Sequence, residues 1–394
     1  MNYLTILLVV LLLLSLVELS FTKHKVLCDQ LFHIAFAFTV FWVGIKYYIG
    51  PDIFSYVPFY ETIQPFKDII SGHYKGSFEI GFAIFCSFFK SIGFSFWGMT
   101  VVITAIYFAA IYKVFKQLKA YRIFALFILM LLDANLVLYQ FRECLAVSFY
   151  LLMVLFLFKK KYITSILMFI MSAAVHKSGL FMCIGTFIVY ELRFIKIDKQ
   201  AYSILFMLLI VFLIIPLKDF IVPIIDQFPL QESVIDSIKH HFLLERKIQT
   251  IFVVYAIALF CTVYYSRFSK EEAKWHWIIF TCLLIIVILF QYYFILNRLR
   301  SYFLPLALVY ISNAIATSEH KSVLPKQILV VSIILFAANF YRRYNVELEN
   351  SISKVNIGHT IFDLKHKSEE QIKQEQMKKA AKFWKYEYLN QTQN

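Results

Sequence analysis

The residues in this chain best suited to chemistry are ionisable groups lodged among apolar runs. Arg142 in YQFRECLA, Arg298 and Arg300 in ILNRLRSYF, His176 in SAAVHKSGL, Glu79 at the head of EIGFAIFCSFFKSI and Asp133 in LLDANLVLYQF all interrupt hydrophobic sequence. An ionisable group at membrane depth is costly, so it normally lines a water-filled cavity or a substrate path. An arginine at a helix end offers a planar fork that suits bidentate contact with phosphate or pyrophosphate. Its plainer use is snorkelling to lipid headgroups. Arg300 lies two positions beyond Arg298 and so points to a different helix face. His176 sits between two apolar helices, and an unperturbed imidazole suits a base that takes the proton from an attacking hydroxyl. A lone buried histidine also serves as a structural hydrogen-bonding residue. Glu79 and Asp133 are the carboxylates expected to face the same cavity, and Asp133 is alternatively a structural partner for Arg142.

The elements that must position these groups are membrane helices. Of 394 residues, 60% are hydrophobic and 16% charged, whereas soluble domains carry about 25% charged residues. Mean hydropathy is +0.70. Apolar stretches recur along the chain, at about 3–22, 29–49, 96–112, 123–139, 142–158, 162–175, 179–192, 201–222, 249–266, 276–296, 301–317 and 327–341. The expected fold class is therefore all-α, a polytopic transmembrane helical bundle of about twelve spans. Residues 3–20 lack a basic leader and a small-residue cleavage site, and read as an uncleaved first span.

Net charge is +14. The basic residues fall in small clusters at alternate connections: Lys113 to Arg122, Lys159 to Lys161, Arg193 to Lys199, Arg267 to Lys274, and Lys321 with Lys326. This is the positive-inside pattern, and it argues against a nucleic-acid partner. The opposite connections then face outward: 50–78, the joint at Phe141 and Arg142, the joint at His176 to Ser178, loop 224–248, and Asn297 to Arg300. Residues 79–92 are too short to cross and would flip the parity of every later loop if they did; a re-entrant or interfacial helix on the outer side resolves the conflict. The pair 162–175 and 179–192 reads as a hairpin that holds His176 recessed at the floor of an outward cavity.

Loop 50–78 mixes Asp52, Glu61 and Asp68 with Tyr56, Tyr60, Tyr74 and several Phe. That composition suits stacking on and hydrogen-bonding sugars, with Tyr74 a candidate ligand, and equally suits an aromatic belt at the interface. His240 and His241 in loop 224–248, with Glu232, Asp236 and Glu245, match no defined metal spacing. The six cysteines are scattered without metal spacing and read as small hydrophobes. No Walker A, GxSxG, HExxH or DxD motif is present, which argues against cytosolic nucleotide chemistry, a metal or a cofactor. Residues 1–341 thus form the membrane domain, and 342–394 a charged, Gln-rich tail with a helical stretch near SEEQIKQEQMKKAAKFWKYEYL.

The run GHYKGSFEIGFAIFCSFFKSIG, then FRECLAVSFYLLMVLFLFKKKYITSILMFIMSAAVHKSGL, then NRLRSYF, together resemble the EpsG/Wzy family of bacterial exopolysaccharide and O-antigen polymerases over roughly residues 50–345. The distinctive part is the arginine and alanine at Arg142 and Ala146, followed about thirty residues later by a histidine ending an apolar helix. The resemblance implies a GT-C-like or Wzy-like bundle in the plasma (inner) membrane, acting as a metal-independent glycosyltransferase. It would join oligosaccharide repeat units carried on undecaprenyl pyrophosphate at the outer face, with membrane lipid and a chain-length regulator protein as further partners. Carried over by position, Arg142 and Arg298 hold the donor pyrophosphate, His176 activates or positions the acceptor hydroxyl, and Glu79 orients sugar. Where the family usually has glutamine after the motif arginine, this chain has Glu143. The rival classes are a transporter or flippase of lipid-linked sugars and a membrane O-acyltransferase. Ten glycines and no visible internal duplication argue against the transporter.

Overall fold

The computed structural model describes residues 3–22, 24–191, 273–289, 293–317 and 359–392, with isolated positions between 201 and 211. The expected spans at 201–222, 249–266 and 327–341, and loop 224–248 with its His240 and His241, lie outside the described residues. Those residues are mostly helical, and the chain is a membrane protein. Four of the described helices are long and apolar enough to cross a membrane: α2 (Lys25–Gly44), α6 (Phe96–Phe115), α7 (Arg122–Tyr139) and α8 (Phe141–Phe158). Shorter apolar helices accompany them, including α1 (Tyr3–Ser20), α5 (Ile80–Ser91), α9 (Tyr162–Val175) and α10 (Lys177–Glu191). Two compact units are present, Met1–Cys183 with Ser322–Gln393, and Ile184–Lys321.

In the first unit α8 is the central element. Its sequence is apolar on every face, and it is buried along nearly its whole length between α6, α7 and α9. The packing partner α9 shows how a membrane helix chooses its inner face without a hydrophobic gradient to guide it. Ser165 and Ser172, seven residues apart, are fully buried, while Ile163, Ile166, Leu167 and Ile170 are exposed. The two serines donate to backbone oxygens of α8, Ser165 Oγ to Met153 at 3.0 Å and Ser172 Oγ to Ala146 at 2.9 Å. Small polar residues thus clamp one helix to another, and the larger apolar side chains are left for lipid.

The connection into α7 is held by cross-helix capping. Tyr121, before α7, has a left-handed backbone (φ +58°) and its side chain caps nothing. The buried Glu18 carboxylate of α1 takes its place, accepting from the backbone N–H of Ile123 (3.0 Å) and Phe124 (3.0 Å). Such a carboxylate satisfies donors that a helix start leaves open.

On the opposite side the chain between α2 and α6 is more structured than a loop. It contains β1 (Lys46–Tyr47), α3 (Ile53–Thr62), α4 (Phe66–Ile70) and then α5. Gly50, with φ +84°, lies flat against the Tyr139 ring at the end of α7, in space no side chain could share. Helix α5, at twelve residues, is about 18 Å long and cannot cross a ~30 Å hydrocarbon core. It is tied to this segment by two hydrogen bonds: Ser87 Oγ donates to Gln64 O (2.7 Å) and Lys90 Nζ to Glu61 O (2.7 Å). That is the arrangement expected of an interfacial helix.

The aromatic residues of 50–78 turn inward. Tyr56 and Tyr60 are buried, with Tyr56 packed among Phe78, Phe82 and Phe141 and Tyr60 donating to Phe94 O at 2.7 Å. These two rings are thus packed inside the protein, neither open to a sugar nor set in an interfacial belt. The reason is that α3 is amphipathic, and Ile53, Tyr56, Val57 and Tyr60 form its buried stripe.

The tail is a docked element of the same unit. β2 (His359–Thr360) pairs antiparallel with β1, Lys46 opposite Thr360 and Tyr47 opposite His359. A 3-10 turn (Ile361–Lys365) and α11 (Glu369–Thr392) follow. Ile372, Gln376 and Ala380 form the buried stripe of α11, and Ala380 packs against Phe54 of α3.

In the second unit two helices pack together, α12 (Ala273–Leu289) and α13 (Tyr293–Thr317). This corrects one expectation. Asn297 to Arg300 is not a joint between spans; these residues lie inside the continuous helix α13. The NRLR run contains only residues that a helix tolerates, and no glycine or proline interrupts it before Pro305.

Candidate active site

Helix α8 begins at Phe141, one residue after α7 ends, because Gln140 leaves the helical conformation (φ −94°, ψ 59°). Arg142 consequently stands in the first turn of α8, half-buried, with its guanidinium turned toward α3 and the start of α5. Its Nη1 donates to Glu79 Oε2 at 2.6 Å, and its Nε donates to the Tyr56 hydroxyl at 3.3 Å. The guanidinium carbon lies 4.2 Å from the centroid of the Phe78 ring. The planar cation is thus held on three sides by a carboxylate, a phenol and an aromatic face, the geometry in which arginine differs most from lysine. The ion-pair partner of Arg142 is Glu79, so the alternative of Asp133 as that partner is set aside.

Glu79 occupies the N-cap position of α5, yet its side chain makes no capping bond and reaches to Arg142 instead. Burial opposes its ionisation. The Arg142 charge, the residue's own backbone N–H, the nearby His176 and the Arg142 hydrogen bond outweigh that and hold the carboxyl below its usual range. Tyr56 responds oppositely: burial raises its hydroxyl to about 12 despite Arg142, so it stays a neutral phenol.

His176 joins α9 to α10 in an extended conformation (φ −153°, ψ 135°). The two helices are therefore separate, as a hairpin requires. Nδ1 of His176 accepts from the backbone N–H of Ser178 at 3.2 Å and is 2.9 Å from its hydroxyl oxygen. The imidazole thereby acts as the N-cap of α10. A ring nitrogen that accepts from an amide carries no proton, so the neutral tautomer has its proton on Nε2.

What brings His176 to Glu79 is Gly81. A methyl group on Gly81 would stand 2.6 Å from both the carbonyl carbon and the oxygen of Ala174. Only glycine lets the first turn of α5 rest on the last turn of α9. Three helix starts, those of α5, α8 and α10, consequently belong to the residues of this cluster: Glu79, Arg142 and His176. Each start carries a partial positive charge of about half a unit, and with Arg142 they make the site anion-seeking.

Tyr74 is half-buried at the edge of the cluster, and its hydroxyl donates to Phe78 O at 2.9 Å. Gly76 passes directly over its ring, so the turn carrying Phe78 and Glu79 is pinned by this tyrosine. Asp133 is buried at a break inside α7, where the backbone leaves helical values (φ −135°, ψ 23°). Arg298 and Arg300 belong to α13, in the second unit.

Sequence reasoning did not single out Phe78, Ser178, Gly81 or Lys46. Lys46 is buried behind the site, donating to Thr104 Oγ1 at 2.6 Å with its ammonium 5.4 Å from the centroid of Phe141. Burial lowers it to about 8. Its signal in the sequence is a single lysine in an apolar run, WVGIKYYIG, inside the expected span 29–49.

Residues 30–353 match the family model of the EpsG family. No curated protein and no solved structure matches the chain.

Proposed function

The chain belongs to the EpsG family of glycosyltransferase-like polysaccharide polymerases, and from that premise we propose that it polymerises oligosaccharide repeat units carried on undecaprenyl pyrophosphate at the outer face of the bacterial plasma membrane. The observation that carries the reading is the Arg142 cluster: a forked cation on an aromatic bed at three helix starts, paired in this state with a single carboxylate. Pyrophosphate offers Arg142 more charge and more acceptor oxygens than Glu79 does, so a lipid-linked donor competes for the guanidinium. As the glycosidic bond to the donor breaks, negative charge grows on the leaving pyrophosphate, and Arg142 offsets it. His176, whose Nδ1 accepts from the Ser178 amide, is suited to positioning an oxygen of donor or acceptor through its other ring nitrogen. No nucleotide sugar, metal or cofactor enters this scheme.

The test is replacement of Arg142 by Ala in the producing bacterium, followed by glycan length analysis. The polymerase reading expects single repeat units that reach the outer face without elongation. Repeat units accumulating on the inner leaflet would instead identify a flippase, and long glycans lacking an acyl group an acyltransferase.

A further inference from the structure

Resting on the polymerase reading, we infer that Glu79 is the proton acceptor for the attacking sugar hydroxyl, and that Arg142 sequesters it until the donor pyrophosphate takes its place on the guanidinium. Three observations lead there. His176, the residue type expected to be the base, has its Nδ1 lone pair committed to the Ser178 amide. Glu79 is a carboxylate at the same place, partly open at 15% side-chain exposure, and bound to the residue that attracts the donor. It also sits at the start of α5 without capping it, so release from Arg142 breaks no cap bond.

The exchange times the chemistry. While Arg142 holds Glu79, the carboxylate is a poor base, because the guanidinium favours its charged form. A pyrophosphate on Arg142 replaces that positive neighbour with a neutralised one, and the proton affinity of Glu79 rises when an acceptor hydroxyl needs a base. The hydroxyl oxygen of the acceptor sugar then bonds to the anomeric carbon of the donor sugar. The bond from that carbon to the pyrophosphate oxygen breaks, its electron pair leaves with undecaprenyl pyrophosphate, and the hydroxyl proton passes to Glu79. Departure of the lipid product returns Arg142 to Glu79, which gives its proton to water. Apart from Arg142, the titratable groups bearing on Glu79 among the described residues are His176, from the α9–α10 joint, and Tyr74, from the preceding turn.

The full-length protein in lipid nanodiscs is the test system, with inorganic pyrophosphate as the binding probe and lipid-linked repeat units as substrate. Glu79→Gln is expected to bind pyrophosphate as tightly as the wild type or a few-fold tighter, since it removes a competitor. Its elongation rate should fall by about 10²- to 10⁴-fold. Loss of the acid limb of the pH–rate profile should accompany that fall. Glu79→Asp should keep the acid limb at reduced rate, which separates chemistry from folding, and His176→Gln should keep it too. Elongation by Glu79→Gln near the wild-type rate overturns the assignment, as does loss of the acid limb in His176→Gln alone, or pyrophosphate binding that weakens together with elongation. If pyrophosphate binding is indifferent to Arg142→Ala, the polymerase reading itself fails at its anion site, a result distinguishable from failure of the base.

Discussion

Gly81 and Ala174 touch backbone to backbone, so close that a methyl group on the glycine would lie 2.6 Å from the alanine carbonyl oxygen. That contact joins the start of α5 to the end of α9 and so sets Glu79 beside His176. Gly81→Ala must push α5 away, and overpacking of this kind costs about 1–3 kcal/mol. The expected result is a lowered Tm together with shortened glycans. A variant with wild-type Tm and glycan length would mean that the two helices need not touch.

Arg142→Lys keeps the charge and loses the fork. Lysine cannot donate to Glu79 and Tyr56 at once in the geometry seen here, nor lie flat on Phe78. Elongation in cells is expected to fall by about 100-fold, while stability changes by only about 1 kcal/mol, because the pair is partly exposed to water. Elongation restored by lysine would reduce the role of Arg142 to that of a point charge.

The Arg142 to Glu79 pair should also show in stability against pH. The folded state holds Glu79 below its ordinary value of 4.5. At pH above the ordinary value the pair contributes in full, and it is lost as pH falls through the folded pKa. Thermal unfolding of nanodisc-embedded protein between about pH 3 and 6 should therefore show an acid loss of Tm that Glu79→Gln lacks. An identical acid slope in both proteins would contradict the pairing.

Lys46 has the opposite sign. Its folded pKa, about 8, lies below the ordinary 10.5. Between these values the unfolded chain binds more protons than the folded one, so stability should rise with pH across that window. Lys46→Met is expected to flatten the rise and to be at least as stable as the wild type at pH 7, since a buried charge is exchanged for a packed apolar chain. A melting profile with the wild-type slope after the substitution would exclude Lys46 as its source.

Removal of residues 359–394 uncovers the edge of β1 and the face of α3 around Phe54. Burial, then the Glu369 carboxylate, raises the Tyr47 hydroxyl in the intact protein. Hydrogen exchange across 46–62 should speed up in the truncated protein while α8 and α9 stay protected. Unchanged protection of 46–62 would show that the tail is not needed to order it.

Much of this was legible in the sequence. Helix α9 occupies the residues 162–175 that apolar run length indicated, and the α7 to α8 joint falls within two residues of its expected place, because lysine clusters and polar breaks mark where an apolar run must end. The place of His176 between two short helices was also readable from its neighbours. What could not be read is pairing. Glu79 and Arg142 are separated by 63 residues, and Tyr56 and Arg142 by 86, and nothing local couples such positions. The commitment of the His176 lone pair was hidden for another reason: capping of the Ser178 amide by His176 needs backbone angles, which residue types do not disclose. Helix α13 was misread at 297–300 because charge was taken as a boundary, whereas asparagine and arginine are tolerated inside a helix.

The pairing of β1 with β2 is a small feature, two residues on each strand. It fastens the tail, with Lys46 opposite Thr360 and Tyr47 opposite His359, to the segment that carries Tyr56. That segment therefore gains this partner, and the Ala380 contact on Phe54, only after nearly the whole chain has been synthesised, so its last packing contacts form late.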